Sequence, residues 1–210
     1  MNLHERNQKV RSFFNEKIDT YDDVHSTFIN TKNAITDNLD KETKRILDLG
    51  AGTGLELIYL FEKYPDADVT VIDITENMIN KLKQRNFSNH ITTILGDFFE
   101  VEFGNDYDAV ISTSALHHFK KEEKEILYKK IYDCLKIKGQ FINSDRIAQT
   151  EEFENSQLFE LDHRFDDYKH IDIPLTIEHE KELLKKVGFN DIESQDVDIE
   201  DYSLIKARKV

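Results

Sequence analysis

Three glycines within five positions, in Asp48-Leu49-Gly50-Ala51-Gly52-Thr53-Gly54, are the first residues of this 210-residue chain whose types and spacing point to chemistry. Glycine is costly in backbone entropy, so such a cluster implies a chain that needs positive φ or lies close against a ligand. Between a strand and a helix, a glycine turn offers backbone N–H groups and a helix N-terminus to a bound molecule. Asp73 lies about twenty residues beyond Gly50, the spacing at which a carboxylate ending the next strand accepts hydrogen bonds from both hydroxyls of a ribose. Asp97, in Leu95-Gly96-Asp97-Phe98, is placed to take an exocyclic amino group at the far end of the same ligand, with Phe98 against a base edge. The expectation is a cofactor that contains a nucleoside.

Candidates for moving a proton are His117 and His118, followed by His163, Asp166 and Asp167. His117 is the first choice for a general base, against the alternative of a hydrogen-bonded structural histidine. No metal is expected: adjacent side chains on an extended segment point apart, and no third ligand stands at helical spacing from the pair. The single cysteine, Cys134, excludes an internal disulfide and leaves too few thiolates for a cysteine-based metal site.

Strand-like and helix-like runs alternate from residue 45 onward, the order expected of a parallel sheet with crossover helices. Strands are expected at 45–50, 69–73, 91–95, 107–111 and 140–143. Helices are expected from Leu55 to Tyr64 with Pro65 as a stop, from Thr75 to about Arg85, and from Lys121 to Lys136. A helix over Ile177–Val187 ends on Gly188, and runs at 192–197 and 202–207 form an antiparallel hairpin at the sheet edge. Helices at 5–18 and 24–39 belong to an N-terminal cap, residues 1–40. Residues 147–173, acidic and aromatic without a clean period, read as an insertion over an acceptor pocket in an otherwise single domain, 1–210.

A net charge of −14 sets the surface against a phosphate backbone, so nucleic acid is not an expected partner. Lys120-Lys121 and Lys129-Lys130 do not reverse this, because Glu122, Glu123 and Glu125 lie between them and make the run a solvated helix face. The first residues fit neither a signal peptide nor a membrane anchor, so the expected location is the cytoplasm, as monomer or homodimer.

The chain resembles the class I, Rossmann-like S-adenosylmethionine-dependent methyltransferases over about residues 45–210. Five motifs in order carry the resemblance: LDLGAGTG, VIDITENMI, LGDF, DAVISTSALHHF and LKIKGQFINSD. It implies a doubly wound, mostly parallel seven-stranded sheet with an antiparallel C-terminal edge hairpin, and S-adenosylmethionine as cofactor. It further implies that Gly50, Ala51, Gly52 and Gly54 pack against the methionine portion with Asp48 in support, and that Asp73 holds the ribose. Ile74 and Met78 would flank the adenine, Gly96, Asp97 and Phe98 would fix its edge, and Ser112, Thr113 and Ser114 would face the methionine portion. Tyr21, in Phe14-Asn15-x-x-Ile18-x-x-Tyr21-Asp22, is similar to the N-terminal aromatic that covers the cofactor in relatives acting on small molecules. The usual Pro-Gly-Gly before strand five is here Ile137-Lys138-Gly139, and 147–173 matches no motif, which leaves the acceptor open.

A small-molecule acceptor is the expectation. A nicotinamide-dependent oxidoreductase is the first rival, but G-x-G-x-x-G starting at Gly50 would put its third glycine at Leu55. Carboxymethyl-cofactor synthesis and non-catalytic cofactor binding share the same motifs. Base methylation is disfavoured because Ser112-Thr113-Ser114-Ala115 stands where amino-group base methylases carry Asn/Asp-Pro-Pro-aromatic.

Overall fold

The computed structural model describes residues 2–26, 29–87, 90–164, 172–197 and 199–210. Strands β1 (Arg45–Leu49), β2 (Asp68–Asp73), β3 (Ile91–Leu95), β4 (Tyr107–Thr113), β5 (Leu135–Arg146), β6 (Asn190–Asp196) and β7 (Tyr202–Arg208) form one sheet in the order β3-β2-β1-β4-β5-β7-β6. The pairs from β3 to β5 are parallel, and β7 runs antiparallel to both β5 and β6. This is the doubly wound sheet with an antiparallel edge hairpin that the motif order implies.

Successive residues of a strand face opposite sides, and the core divides accordingly. Ile46, Val69, Val71, Ala109, Ile111 and Ile142 face one layer of helices, α3 (Ile29–Asn38), α4 (Leu55–Lys63) and α5 (Glu76–Lys83). Leu47, Leu49, Val110, Phe141 and Ile205 face the other, α6 (Lys121–Cys134) and α8 (Ile177–Val187). Burial on both faces explains why β1, β2 and β4 read as near-continuous apolar runs. Register puts Leu49 beside both Ile72 and Ser112, and Asp73 beside Leu95, so the C-terminal ends of β1 to β4 lie in a row.

Helix α1 (Leu3–Glu16) crosses above that row. It starts two residues before the expected position because Asn2 and Glu5 form a reciprocal capping box: the Asn2 Oδ1 accepts from the Glu5 N–H at 2.9 Å and the Glu5 Oε2 from the Asn2 N–H at 3.0 Å. The helix expected at 24–39 is the shorter α3, and α2 (Ile18–His25) is a further helix in what reads as the gap between the two expected ones. Helix α6 stops at Cys134, not Lys136, and β5 starts at Leu135, not Gln140. Here the step from Tyr107 to Ala109 on β4 faces the longer step from Leu135 to Gln140, a bulge that holds Lys138 at φ +67° and lets its N–H reach the Lys209 carbonyl at 2.8 Å.

The stretch after β5 contains α7 (Glu151–Arg164), tied down by Lys120 to Asp162 at 2.7 Å and by Leu161 against Ile173. Among the described residues no helix is long and apolar enough to cross a membrane.

Candidate cofactor and active site

A cavity opens above the C-terminal ends of β1 to β4, at the point where strand order reverses between β1 and β4. Open α/β sheets bind ligands at this crevice. Gly50 and Gly52 form its floor, at φ +78° and +54°. The Gly50 N–H donates to the Ile72 carbonyl at 2.8 Å, which pins the turn to β2. A Cβ on Gly50 would lie 2.5 Å from the Ala115 Cβ, so Gly50→Ala combines left-handed strain with overpacking. It is expected to cost at least about 2 kcal/mol, read as a lower urea midpoint. A Cβ on Gly52 would meet the Tyr21 hydroxyl at 3.0 Å, so the roof lies directly over this part of the loop. Ala51, Gly54 and Asp48 are buried behind the loop and do not line the cavity.

Asp73 ends β2, lines the cavity and is 7% exposed. Its Oδ2 accepts from the Gly52 N–H at 2.9 Å and its Oδ1 from the Thr75 N–H at 2.7 Å. Burial raises its pKa, while the donors at Thr75 and Gly52 pull it back. These donors, with the Thr75 side chain, hold the carboxylate in one orientation. Ile74, Met78, Gly96, Asp97 and Phe98 line the adjoining end of the cavity. Asp97 accepts from the Phe99 N–H at 3.0 Å and from the Asn7 side-chain amide at 2.7 Å.

Ser112, Thr113 and Ser114 do not act together as expected. Ser112 is fully buried and its hydroxyl donates to the Leu49 carbonyl at 2.8 Å, because it lies within β4 beside Leu49, below the end of the strand. Thr113 is likewise outside the lining, and only Ser114 reaches it, at φ +54°. The roof brings in residues that motif reading missed: Asn7, Val10 and Phe14 of α1, beside Tyr21 of α2. The 7, 10, 14 spacing is one helical face, a signal available in the sequence once the capping box fixes where α1 begins.

A family described as "Methyltransferase domain" matches residues 46–139, which run from β1 into β5. The chain carries a methyltransferase domain of the class I, S-adenosylmethionine-dependent kind. It is 27% identical over 206 residues to the carboxy-S-adenosyl-L-methionine synthase of Nautilia profundicola, covering 90% of this chain and 88% of that one. It is 30% identical over 171 residues to the phosphoethanolamine N-methyltransferase of Plasmodium falciparum, covering 80% and 61% respectively. Human N-acetylserotonin methyltransferase in complex with its cofactor superposes with a TM-score of 0.72 at 23% identity, over 95% of this chain and 56% of that one. The chain therefore spans little more than half the length of that solved relative.

In the methyltransferase the two adjacent histidines stand on a 3-10 turn, Leu116–His118, and not on an extended segment. Asp145 of β5 clamps this turn: its Oδ2 accepts from the N–H groups of Leu116 at 2.9 Å and His117 at 3.0 Å, and its Oδ1 lies 2.5 Å from His117 Nδ1. The other ring nitrogen of His117, Nε2, lies 3.3 Å from Asp172 Oδ1. Burial alone would lower the His117 pKa, but Asp145 and then Asp172 outweigh it and lift it to about 9. An imidazolium held between two carboxylates is a poor proton acceptor, and His117 does not line the cavity. The general-base expectation for His117 is corrected on both grounds. His118 does line the cavity, its ring 5.8 Å from that of Phe14. His163 is exposed on α7 and its Nδ1 bonds the Phe159 carbonyl of its own helix at 2.9 Å. Asp166 and Asp167 lie outside the described residues.

Behind the glycine loop, Asp48 of β1 faces Glu56 of α4 with both side chains buried. Burial drives both pKa values up, Asp48 well above the usual carboxylate range and Glu56 to about 7. As pH rises from 4.5 to about 7 the unfolded chain releases the Glu56 proton before the folded one does, so the folded state loses stability across that window. Glu56→Gln keeps the shape and removes this titration. Its melting temperature is expected to gain on the parent between pH 5 and pH 8, a trend that thermal scans at the two pH values would read.

Proposed function

We propose that this methyltransferase transfers a methyl group to a small-molecule acceptor inside the roofed cavity. The observation that carries the proposal is Asp73, a buried cavity carboxylate fixed by the Gly52 and Thr75 N–H groups beside the glycine loop. S-adenosylmethionine, when bound, supplies an electrophilic methyl carbon. Asp73 would hold the ribose hydroxyls, Asp97 the adenine amine, and Ile74, Met78 and Phe98 the faces and edge of the base. Gly50 and Gly52, on the floor, would let the methionine portion lie against bare backbone. Tyr21 and Phe14 would exclude water, so that catalysis rests mainly on orientation and desolvation. The roof of α1 and α2 together with a net charge of −14 argues against a nucleic-acid acceptor.

The near-full-length similarity to a carboxy-S-adenosyl-L-methionine synthase favours one second reading, in which the cofactor itself is carboxylated. Calorimetric titration with S-adenosylmethionine, S-adenosylhomocysteine and NAD tests the cofactor. Saturable binding of the first two without the third is expected, and binding of NAD alone would overturn the proposal. Mass spectrometry of the cofactor after turnover separates the readings: S-adenosylhomocysteine marks methyl transfer, and a mass gain on the cofactor marks the alternative.

A further inference from the structure

We propose that His117, His118 and Asp172 form a site for a divalent transition-metal ion at the edge of the cofactor cavity, with its open coordination position facing the acceptor. Their ligand atoms, His117 Nε2, His118 Nδ1 and Asp172 Oδ1, all lie within 4.8 Å of one another. The two contacts to Asp172 Oδ1, 3.3 Å from His117 and 3.5 Å from His118, are longer than the usual N–H···O bond. They match the edge of a tetrahedron, about 3.4 Å, drawn around an ion with bonds of about 2.0–2.1 Å.

The surroundings are built to present these atoms. The 3-10 turn brings the rings of His117 and His118 to the same side, with centroids 4.0 Å apart, where an extended segment would have separated them. Asp145 engages His117 Nδ1 and is itself fixed by two backbone N–H groups, which sets the ring's direction and leaves Nε2 as the ligand atom once the ion displaces the proton it carries in the ion-free protein. A carboxylate behind a ligating histidine is the usual outer partner of a protein-bound metal. Asp172 is aligned from its other side, because Arg146 donates to its Oδ2 at 2.7 Å. The Ile173 N–H, bonded to the His117 carbonyl at 2.9 Å, ties its segment to the histidine turn.

Two imidazoles and one carboxylate suit zinc, manganese, iron or cobalt, and not magnesium or calcium, which take oxygen donors. Three protein ligands leave a position for an exogenous one, as in catalytic zinc sites. His118 lines the cavity beside Ser114 and Phe119, so that position borders the space where an acceptor would meet the methyl group. The ligand it would take is an oxygen of the acceptor, a hydroxyl or carboxylate. That last step rests on the methyl-transfer reading, whereas the metal site itself does not.

The test is calorimetric titration of chelator-treated, full-length protein with Zn²⁺ alone, with Co²⁺ absorption spectra in parallel. One Zn²⁺ per chain and visible bands of tetrahedral Co²⁺ are expected. His118→Gln and Asp172→Asn should each lose at least tenfold in Zn²⁺ affinity, whereas His163→Gln, at an exposed position on α7, should bind as the parent does. Absence of saturable Zn²⁺ binding, or equal affinity in His118→Gln, would overturn the site. S-adenosylhomocysteine is titrated into the same samples. Its binding without Zn²⁺ binding defeats the metal site and leaves the methyl-transfer reading standing, and the converse result does the reverse.

Discussion

Asp73→Ala is expected to weaken S-adenosylmethionine binding by about 10- to 100-fold, corresponding to about 1.5–3 kcal/mol for hydrogen bonds lost to a charged group. The carboxylate has two functions that alanine removes together. Toward the cavity, on the proposed reading, it accepts from the ribose hydroxyls. Away from it, the same oxygens accept from the Gly52 and Thr75 N–H groups and so hold the glycine loop against the end of β2. Asp73→Asn does not separate the two, since its NH₂ group would face either the Gly52 or the Thr75 N–H, donor against donor, and affinity should fall here too. Burial raises the Asp73 pKa, so affinity in the parent should fall on acidification sooner than for an exposed aspartate, as the carboxyl protonates and loses acceptor capacity. Calorimetry across pH, with circular dichroism to verify folding, reads all three effects. Parent-like affinity in Asp73→Ala would remove this residue from the site.

The sheet was legible because strands buried on both faces, such as Arg45–Leu49 and Tyr107–Thr113, carry short apolar runs, Ile46-Leu47 and Ala109-Val110-Ile111, bounded by charged and polar residues. Asp73 and Asp97 were legible because the ends of parallel strands are where such folds place ligand contacts, and chain order alone gives those positions. What sequence order does not carry is side-chain direction. Ser112 and Ser114 sit two positions apart in one motif, yet one hydroxyl is spent on the Leu49 carbonyl beneath the loop and the other residue turns out into the cavity at positive φ. The histidines show the same limit more strongly. Whether His117 and His118 diverge or converge depends on a 3-10 turn that Asp145 stabilises from β5, and Asp172 reaches them only through tertiary packing. Asn7 was missed for a different reason: the sequence places this helix in the cap over the sheet but does not say which of its faces meets the strand ends.

The largest expected effect on stability comes from a pair that the charge pattern disguises. Helix α6 begins Lys121-Glu122-Glu123-Lys124-Glu125, a run that reads as solvated, yet Lys124 falls on the 124, 127, 128, 131 face, and all four of these residues are buried. Its ammonium meets Glu180 of α8, and the Tyr128 hydroxyl donates to the same carboxylate; the two charged side chains are only 1% and 3% exposed. Tyr128 packs on Phe141, so the group is sealed between two helices and β5. Glu180→Ala leaves an uncompensated ammonium in that interior and should cost about 3–5 kcal/mol, a large share of the roughly 5–15 kcal/mol that holds a domain folded. The attraction within the pair is not what is lost, since desolvation has already offset most of it. For that reason Lys124→Met combined with Glu180→Leu should recover most of the loss, and adding Tyr128→Phe should recover more by removing the hydroxyl that the double variant leaves without its acceptor. None of these residues lines the cavity, so cofactor affinity measured on folded protein should stay at the parent value throughout. Urea unfolding of the series measures the recovery. A Glu180→Ala midpoint equal to the parent's would mean that Lys124 reaches water in solution, and the buried-pair argument would fall with it.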